Sequence, residues 1–294
     1  MPRGVDRAKR RPRATGAARA AAVIPARRRW GQHFLAAPET AERIVGAARL
    51  DASDTVFEVG PGEGALTRAI RARGARVLAV EIDPRRAELL SRELAGDARV
   101  ALLRGDVLER PFAAWLAEAG WSGRAVLLSN LPYNVATPVL CRAIEEGETI
   151  ARSVATVQRE VALRFAARPG SEGYGYLSIR AAAFARARIL FDLPPSAFRP
   201  RPRVLSSVLE LAPAGRPIDP ALRARALALA SLGFRSRRKT LANALVSAAP
   251  RAVWEGHLAA LGKPLRARAE ELGLEDYLEL ARRFPGPGAA AESA

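Results

Sequence analysis

An open, parallel, doubly wound α/β sheet followed by a small all-helical domain is the fold class that this sequence predicts. Three observations predict it. From Thr55 to Gln158, short runs rich in Val, Leu and other apolar residues alternate with longer stretches of helical spacing, as strands joined by helical crossovers do. The first of those runs ends in Gly60-Pro61-Gly62-Glu63-Gly64, a glycine-rich strand-to-helix turn. Beyond Pro213 to Pro220, which reads as a linker, the periodicity is helical throughout.

Element by element, Pro38 to Leu50 reads as a helix and Asp51 to Asp54 as a polar break. Thr55 to Val59 is a buried strand, and Ala65 to Arg73 a helix. Arg76 to Glu81 and Pro84 to Leu94 repeat the unit, Arg99 to Arg104 is a third strand, and Arg124 to Ser129 a fourth. Ser153 to Gln158 is a fifth strand, with a helix through Ala167. The crossovers should be right-handed. Tyr174 to Ala187 and Val204 to Leu211 are expected to add the last elements of the sheet, separated by the proline-dense loop Leu193 to Arg203. Ala221 to Gly233, Arg237 to Ala248, Ala252 to Gly262 and Arg266 to Phe284, broken at Gly273, are expected helices. The domains so predicted are a disordered basic arm over 1–29, a sheet domain over 30–212, a helical domain over 213–284 and a disordered tail over 285–294.

The net charge of +17 points to a polyanionic partner, nucleic acid first. Of 47 basic residues 44 are Arg, a bias that composition can explain, but bias toward Arg does not create an excess of bases over acids. Residues 1–29 hold ten Lys and Arg against one acid, Asp6. Such a segment cannot bury enough surface to fold alone. It reads as an arm for RNA phosphates, as a neutral extension or misplaced start, or as a transit peptide, although it lacks serine. No apolar run approaches a membrane span, so a soluble protein with no membrane partner is expected. One cysteine, Cys141, excludes an internal disulfide framework and fits a reducing, cytoplasmic setting. His33 and His257 have no ligand cluster beside them, so no metal is expected.

Four features fall at carboxyl ends of predicted parallel strands, where open α/β sheets bind ligands. Gly60 and Gly62 shape the first turn. Glu81 ends the second strand, 21 residues after Gly60, where a carboxylate can hold both hydroxyls of a ribose. Gly105-Asp106 ends the third, where a carboxylate can accept from an adenine amine. Singly, Glu81 could be a solvated acid and Asp106 a helix N-cap; their joint placement favours a ligand. The Gly-Pro-Gly-x-Gly turn departs from the dinucleotide fingerprint, and the joint pattern of glycines, ribose acid, Gly-Asp and the Asn-Leu-Pro-Tyr box on the fourth strand fits S-adenosyl-L-methionine better than NAD. The fourth strand ends in Asn130-Leu131-Pro132-Tyr133. The Asn130 amide and the Leu131 carbonyl, held extended by Pro132, can both accept from one exocyclic amine, and the Tyr133 ring can stack on its base. Phe198 is a candidate second wall. Doing without a general base, such a clamp would act by positioning and charge complementarity. The bland alternative, an ordinary strand-ending turn, loses weight because the box follows a donor site.

Residues 30–284 resemble the KsgA (RsmA) family, whose members dimethylate adenosines of small-subunit ribosomal RNA. The resemblance rests on Gly31-Gln32-His33-Phe34-Leu35, Glu58 to Gly62, Val80-Glu81-Ile82-Asp83, Gly105-Asp106, Asn130 to Asn134, Pro194 to Val208 and Phe234 to Leu241. It implies a Rossmann-like class I methyltransferase fold. It also implies S-adenosylmethionine contacts from His33, Leu35, Gly60, Glu81, Asp106 and Asn130, and a role in small-subunit biogenesis. Many members carry Asn at the position of His33. Arg199, Arg201 and Arg203 in the proline loop, Arg235, Arg237, Arg238 and Lys239 near a predicted helix start, and Arg27 to Arg29 are candidate RNA contacts. The expected substrate is two adjacent adenosines in a loop near the 3′ end of 16S rRNA, presented by an immature small subunit to a monomeric enzyme. Competing readings are an Erm-like enzyme of large-subunit rRNA, a DNA adenine methyltransferase, and an assembly factor that acts mainly by binding. The signature from Phe234 to Leu241 and the full helical domain favour the small-subunit enzyme over the Erm-like one.

Overall fold

The computed structural model describes residues 32–236 and 238–284. A two-residue strand, β1 (Phe34–Leu35), leads into helix α1 (Pro38–Ala48), which starts on a proline and ends at Arg49 in the left-handed region. The alternating unit follows: β2 (Thr55–Val59), α2 (Ala65–Ala72), β3 (Arg76–Glu81), α3 (Pro84–Glu93), β4 (Val100–Arg104), α4 (Phe112–Glu118), β5 (Ala125–Asn130), α5 (Ala136–Glu145), β6 (Ile150–Gln158) and α6 (Arg159–Ala166). Next come α7 (Tyr176–Ala182), β7 (Ala185–Leu193), β8 (Phe198–Arg199) and β9 (Ser206–Pro213). Helices α8 (Pro220–Arg235), α9 (Leu241–Ala244), α10 (Arg251–Ala260) and α11 (Leu274–Arg283) complete the described chain.

Seven strands form one sheet in the order β4-β3-β2-β5-β6-β9-β7. The first five run parallel, and β9 is antiparallel to both β6 and β7. Every residue of β2 is buried, as a central strand covered on both faces requires. Successive side chains then feed opposite layers. Phe57 and Leu127 pack with Phe112, Trp115 and Leu140 on one face, whereas Val56 and Leu128 pack with Ile44 and Ile70 on the other. A third core, containing Trp254, Tyr277 and Leu241, lies among the C-terminal helices.

The structure corrects three sequence expectations. Tyr174 to Ala187 is mostly not sheet. Gly173 turns the chain at φ 81°, the Ser178 hydroxyl accepts from Gly175 N (3.2 Å), and residues 176–182 form α7. The apolar residues there are divided between two cores: Leu177 and Ala181 of the helix in the sheet core, Ile179 and the preceding Tyr174 in the helical one. The strand itself runs from Ala185 to Leu193, into the start of the proline loop, and β9 begins at Ser206 rather than Val204. The helix expected over Arg237 to Ala248 reduces to the single turn α9, because Leu241 N is committed to Ala267 O at 2.7 Å, while α8 continues to Arg235.

Among the described residues, no helix is long and apolar enough to cross a membrane, and no group of three or more His, Cys, Asp or Glu could hold a metal ion.

Candidate active site at the carboxyl ends of the parallel strands

β2 connects through α2 to β3 on one side, and β5 through α5 to β6 on the other, so the crossovers leave this pair of neighbours in opposite directions. A crevice opens at such a point. Here the β2–β5 ladder pairs Val56 with Val126 and Phe57 with Leu127 and goes no further. Beyond it, the buried Ser129 hydroxyl accepts from Val59 N at 2.7 Å and spans the widening gap. The resulting cleft encloses about 1020 Å³, part of it open to solvent. Its walls are the Gly60 to Glu63 turn, Glu81-Ile82, Gly105 to Val107, Asn130 to Pro132 and the N-terminal stretch Gln32 to Leu35.

The glycine turn is packed too closely against its neighbours to carry side chains. Gly62 has φ 56°, and a Cβ there would stand 2.6 Å from the Phe34 ring. That ring is itself backed by the Arg86 guanidinium, 4.1 Å from its centroid. Gly60 abuts Pro132 of the Asn-Leu-Pro-Tyr box, the contact for an added Cβ being 3.4 Å, so the two halves of the cleft touch. At the end of β4, a Cβ on Gly105 would meet Trp115 at 2.5 Å.

Glu81 is 2% exposed, and its carboxylate accepts from Gly62 N (3.0 Å) through one oxygen and from Asp83 N (2.9 Å) through the other. Burial raises its pKa against those two bonds. Each oxygen keeps a second lone pair for hydroxyls presented in the cleft. Asp106 is half-buried; its Oδ1 accepts from Leu108 N at 2.9 Å, and it lines the cleft. It therefore caps a helical turn while facing the ligand space.

In the box, Asn130 Nδ2 donates to His33 O at 2.7 Å. That bond fixes the amide and leaves Oδ1 as the atom able to accept from a guest. Leu131 N donates to Thr156 O of β6 at 3.2 Å, its side chain is buried, and its carbonyl accepts no backbone hydrogen bond from the described residues. The Tyr133 hydroxyl lies 2.6 Å from Ser206 Oγ, and its ring is 5.1 Å from His33 at a tilt of 31°. His33 Nδ1 meets Pro200 O at 2.7 Å. His33, Leu35, Gly60, Gly62, Glu81, Asp106, Asn130, Leu131 and Pro132 thus all line one cleft.

Phe198 does not join them. Its pairing with Leu35 across β1 and β8 turns the ring into the core with Leu193 and Val208, leaving it 2% exposed and unable to wall a base. The aromatic neighbour of Tyr133 is His33 instead.

Arg199, Arg201, Arg203, Arg235, Arg238 and Lys239 are all exposed, and none pairs with an acid among the described residues. The His33–Pro200 contact ties their loop, with Arg199 and Arg201 flanking Pro200, to a residue of the cleft wall. Arg235 sits in the last turn of α8 rather than before a helix. Arg237 and Arg27 to Arg29 lie outside the described residues.

Glu58 is a cleft residue that sequence reasoning quotes in a motif without giving it a role. It is 1% exposed, and its Oε2 accepts from Thr67 Oγ1 at 2.7 Å. Burial pushes its pKa up to about 8, helped by the nearby Glu81 charge. The signal in the sequence is an acid inside an otherwise apolar buried strand, Thr-Val-Phe-Glu-Val.

The family model described as ribosomal RNA adenine dimethylase matches residues 24–284. The chain is similar to the ribosomal RNA small subunit methyltransferase A of Methylococcus capsulatus, 37% identical over 258 residues covering 88% of this chain and 97% of that one. It is similarly related to the protein of that name from Mycobacterium tuberculosis, 38% identical, with 91% and 86% covered. Among solved structures, it resembles the 23S rRNA methyltransferase ErmE (25% identity, TM-score 0.67, 86% and 99% covered). In fold it also resembles a dimethyladenosine transferase from Plasmodium falciparum (22%, TM-score 0.70, 86% and 98%).

One prediction follows from the buried acid. Glu58 is raised in the folded chain from an ordinary value of 4.5 to about 8. The folded state therefore holds its proton where the unfolded state releases it, and stability declines as pH rises from about 4.5 toward 8. Glu58→Gln keeps an acceptor for Thr67 and should flatten that decline, worth on the order of a few kcal/mol. Urea unfolding at pH 5.5 and 7.5 measures it. An unchanged pH slope in the variant would count against the neutral acid.

Proposed function

The chain belongs to the ribosomal RNA adenine dimethylase family, and from that premise we propose how its own residues perform the reaction. It is an S-adenosylmethionine-dependent rRNA adenine N6,N6-dimethyltransferase of the small subunit. The substrate is a pair of adjacent adenosines in a loop near the 3′ end of 16S rRNA. They are met in an immature small subunit by a monomeric, cytoplasmic enzyme that contributes to subunit biogenesis.

The cleft fits the cofactor on its donor chemistry and its shape. Two carboxylates with spare lone pairs, Glu81 and Asp106, suit the ribose hydroxyls and the adenine amine. Gly60, Gly62 and Gly105 line the cleft with backbone alone and project no side chain between it and a ligand. His33 and Leu35 would close the near side. When bound, S-adenosylmethionine supplies a methyl group on a positively charged sulfur, which keeps the electron pair of the carbon–sulfur bond.

The observation that carries the mechanism is the bond from Asn130 Nδ2 to His33 O. With the amide so turned, Asn130 Oδ1 and the Leu131 carbonyl accept the two N–H bonds of the target amine. Those bonds draw the nitrogen toward a pyramidal shape and expose its lone pair. Pro132 keeps the Leu131 backbone extended, and Tyr133, braced by Ser206, lies against the base. The amine proton leaves after transfer, from a cationic product, so the site needs no general base and works by positioning. The sheet unit through 212 carries this chemistry. The helical unit over 213–284 and the basic loop, through Arg199, Arg201, Arg203, Arg235, Arg237, Arg238 and Lys239, hold RNA phosphates, and the arm over 1–29 adds to that grip.

Primer extension on small-subunit rRNA from cells with and without the gene is expected to show a dimethyladenosine stop only in the former; a stop that persists without the gene defeats the proposal. Asn130→Ala should lower the rate of methyl transfer about a hundredfold while RNA affinity stays within about twofold, and equal loss of both would make the box structural. Changing Arg238 and Lys239 to Ala should reduce the slope of log affinity against log salt by about one for each phosphate that the variant no longer neutralises, with cofactor affinity unchanged by calorimetry.

A further inference from the structure

Val204 and Leu205 are 46% and 44% exposed just before Ser206, which meets Tyr133 of the box, and they follow a loop that buries Phe198 at 2% and Pro202. The pair is held firmly. Arg159 N donates to Leu205 O at 3.0 Å, Ser206 opens β9, and its hydroxyl lies 2.6 Å from the Tyr133 hydroxyl. An exposed apolar pair on a rigid base marks a surface that a partner covers.

The neighbours say which partner. Arg199, Arg201 and Arg203 precede the pair, all exposed and without ion pairs among the described residues. A strip of cations ending in two aliphatic side chains complements a nucleotide strand: phosphates along the arginines, an apolar base face at the tip. Neither Val nor Leu can read a base edge, so the contact is one of shape. We propose that Val204 and Leu205 form an apolar wedge that presses on the RNA base next to the target adenosine and replaces its stacking partner when that adenosine turns into the cleft. This rests on the proposed function, which sets the target base against Tyr133.

Such a contact is made only after unstacking, so it belongs to the rate and not to ground-state binding. The test is steady-state methyl transfer to small subunits isolated from cells that lack the modification, at saturating S-adenosylmethionine. The double variant Val204→Ser/Leu205→Ser should fold normally by thermal unfolding and bind S-adenosylmethionine as before. Its kcat should fall about tenfold with KM within about twofold. Restoring bulk without aromaticity, as Val204→Ile/Leu205→Met, should recover kcat to within about threefold. Full kcat in the serine variant, or a deficit that the bulky variant does not recover, overturns the wedge. A rise in KM with kcat unchanged makes the pair a docking contact, for instance to a ribosomal protein, and also overturns it. No transfer by the unaltered protein would overturn the proposed function instead, and the wedge with it.

Discussion

Everything at this site depends on the place where β2 and β5 stop pairing. Two parallel strands that share a ladder cannot leave a cleft between them, and two that separate freely cannot hold two loops in register. The Ser129 hydroxyl resolves the conflict by taking the Val59 amide that the ladder no longer satisfies. It follows that the glycine turn after Val59 and the box after Ser129 start from a common fixed point. Gly60 then rests on Pro132, and Asn130 reaches across to the N-terminal stretch at His33 O. The glycine turn, the box and the N-terminal stretch are thus three segments tied to one another by the protein's own contacts.

Electrostatics follow from the same crowding. Glu58 and Glu81 are carboxyls with almost no contact with bulk water, and burial raises both. The chain spends stability to keep acids there, each supported by its own donors: Thr67 for Glu58, and the Gly62 and Asp83 amides for Glu81. Outside the cleft stand the proline-loop arginines Arg199, Arg201 and Arg203, exposed and without an acidic partner among the described residues. Their charge suits a polyanionic RNA.

The parallel strands were legible because their burial is local and continuous: a run such as Thr55 to Val59 can sit nowhere but in a covered sheet. The glycines, Glu81, Asp106 and the box were legible because strand ends converge by topology. What escaped the sequence depends on distant partners. Phe198 belongs to the core because of its pairing with Leu35, 163 positions away. Tyr176 to Ala182 has strand-like residues but is helical because two cores claim its two sides. The start of α9 is fixed by an acceptor at Ala267. Glu58 drew no role because the groups that act on it, the Thr67 hydroxyl and the Glu81 carboxyl, are brought to it by the fold.

Helix α7 has a further implication for the chain's modularity. Its Leu177 and Ala181 belong to the sheet core, its Ile179 to the helical core, and Tyr174 just before it donates to Leu272 O at 2.8 Å. Covalent order would separate the two units near residue 213, but α7, some thirty-five residues earlier and inside the sheet unit's own sequence, packs into both cores. A helical unit exchanged between relatives by recombination at the linker would arrive without the wall it packs on. The two units are therefore bound to diverge as one inheritance, with α7 as their shared heirloom.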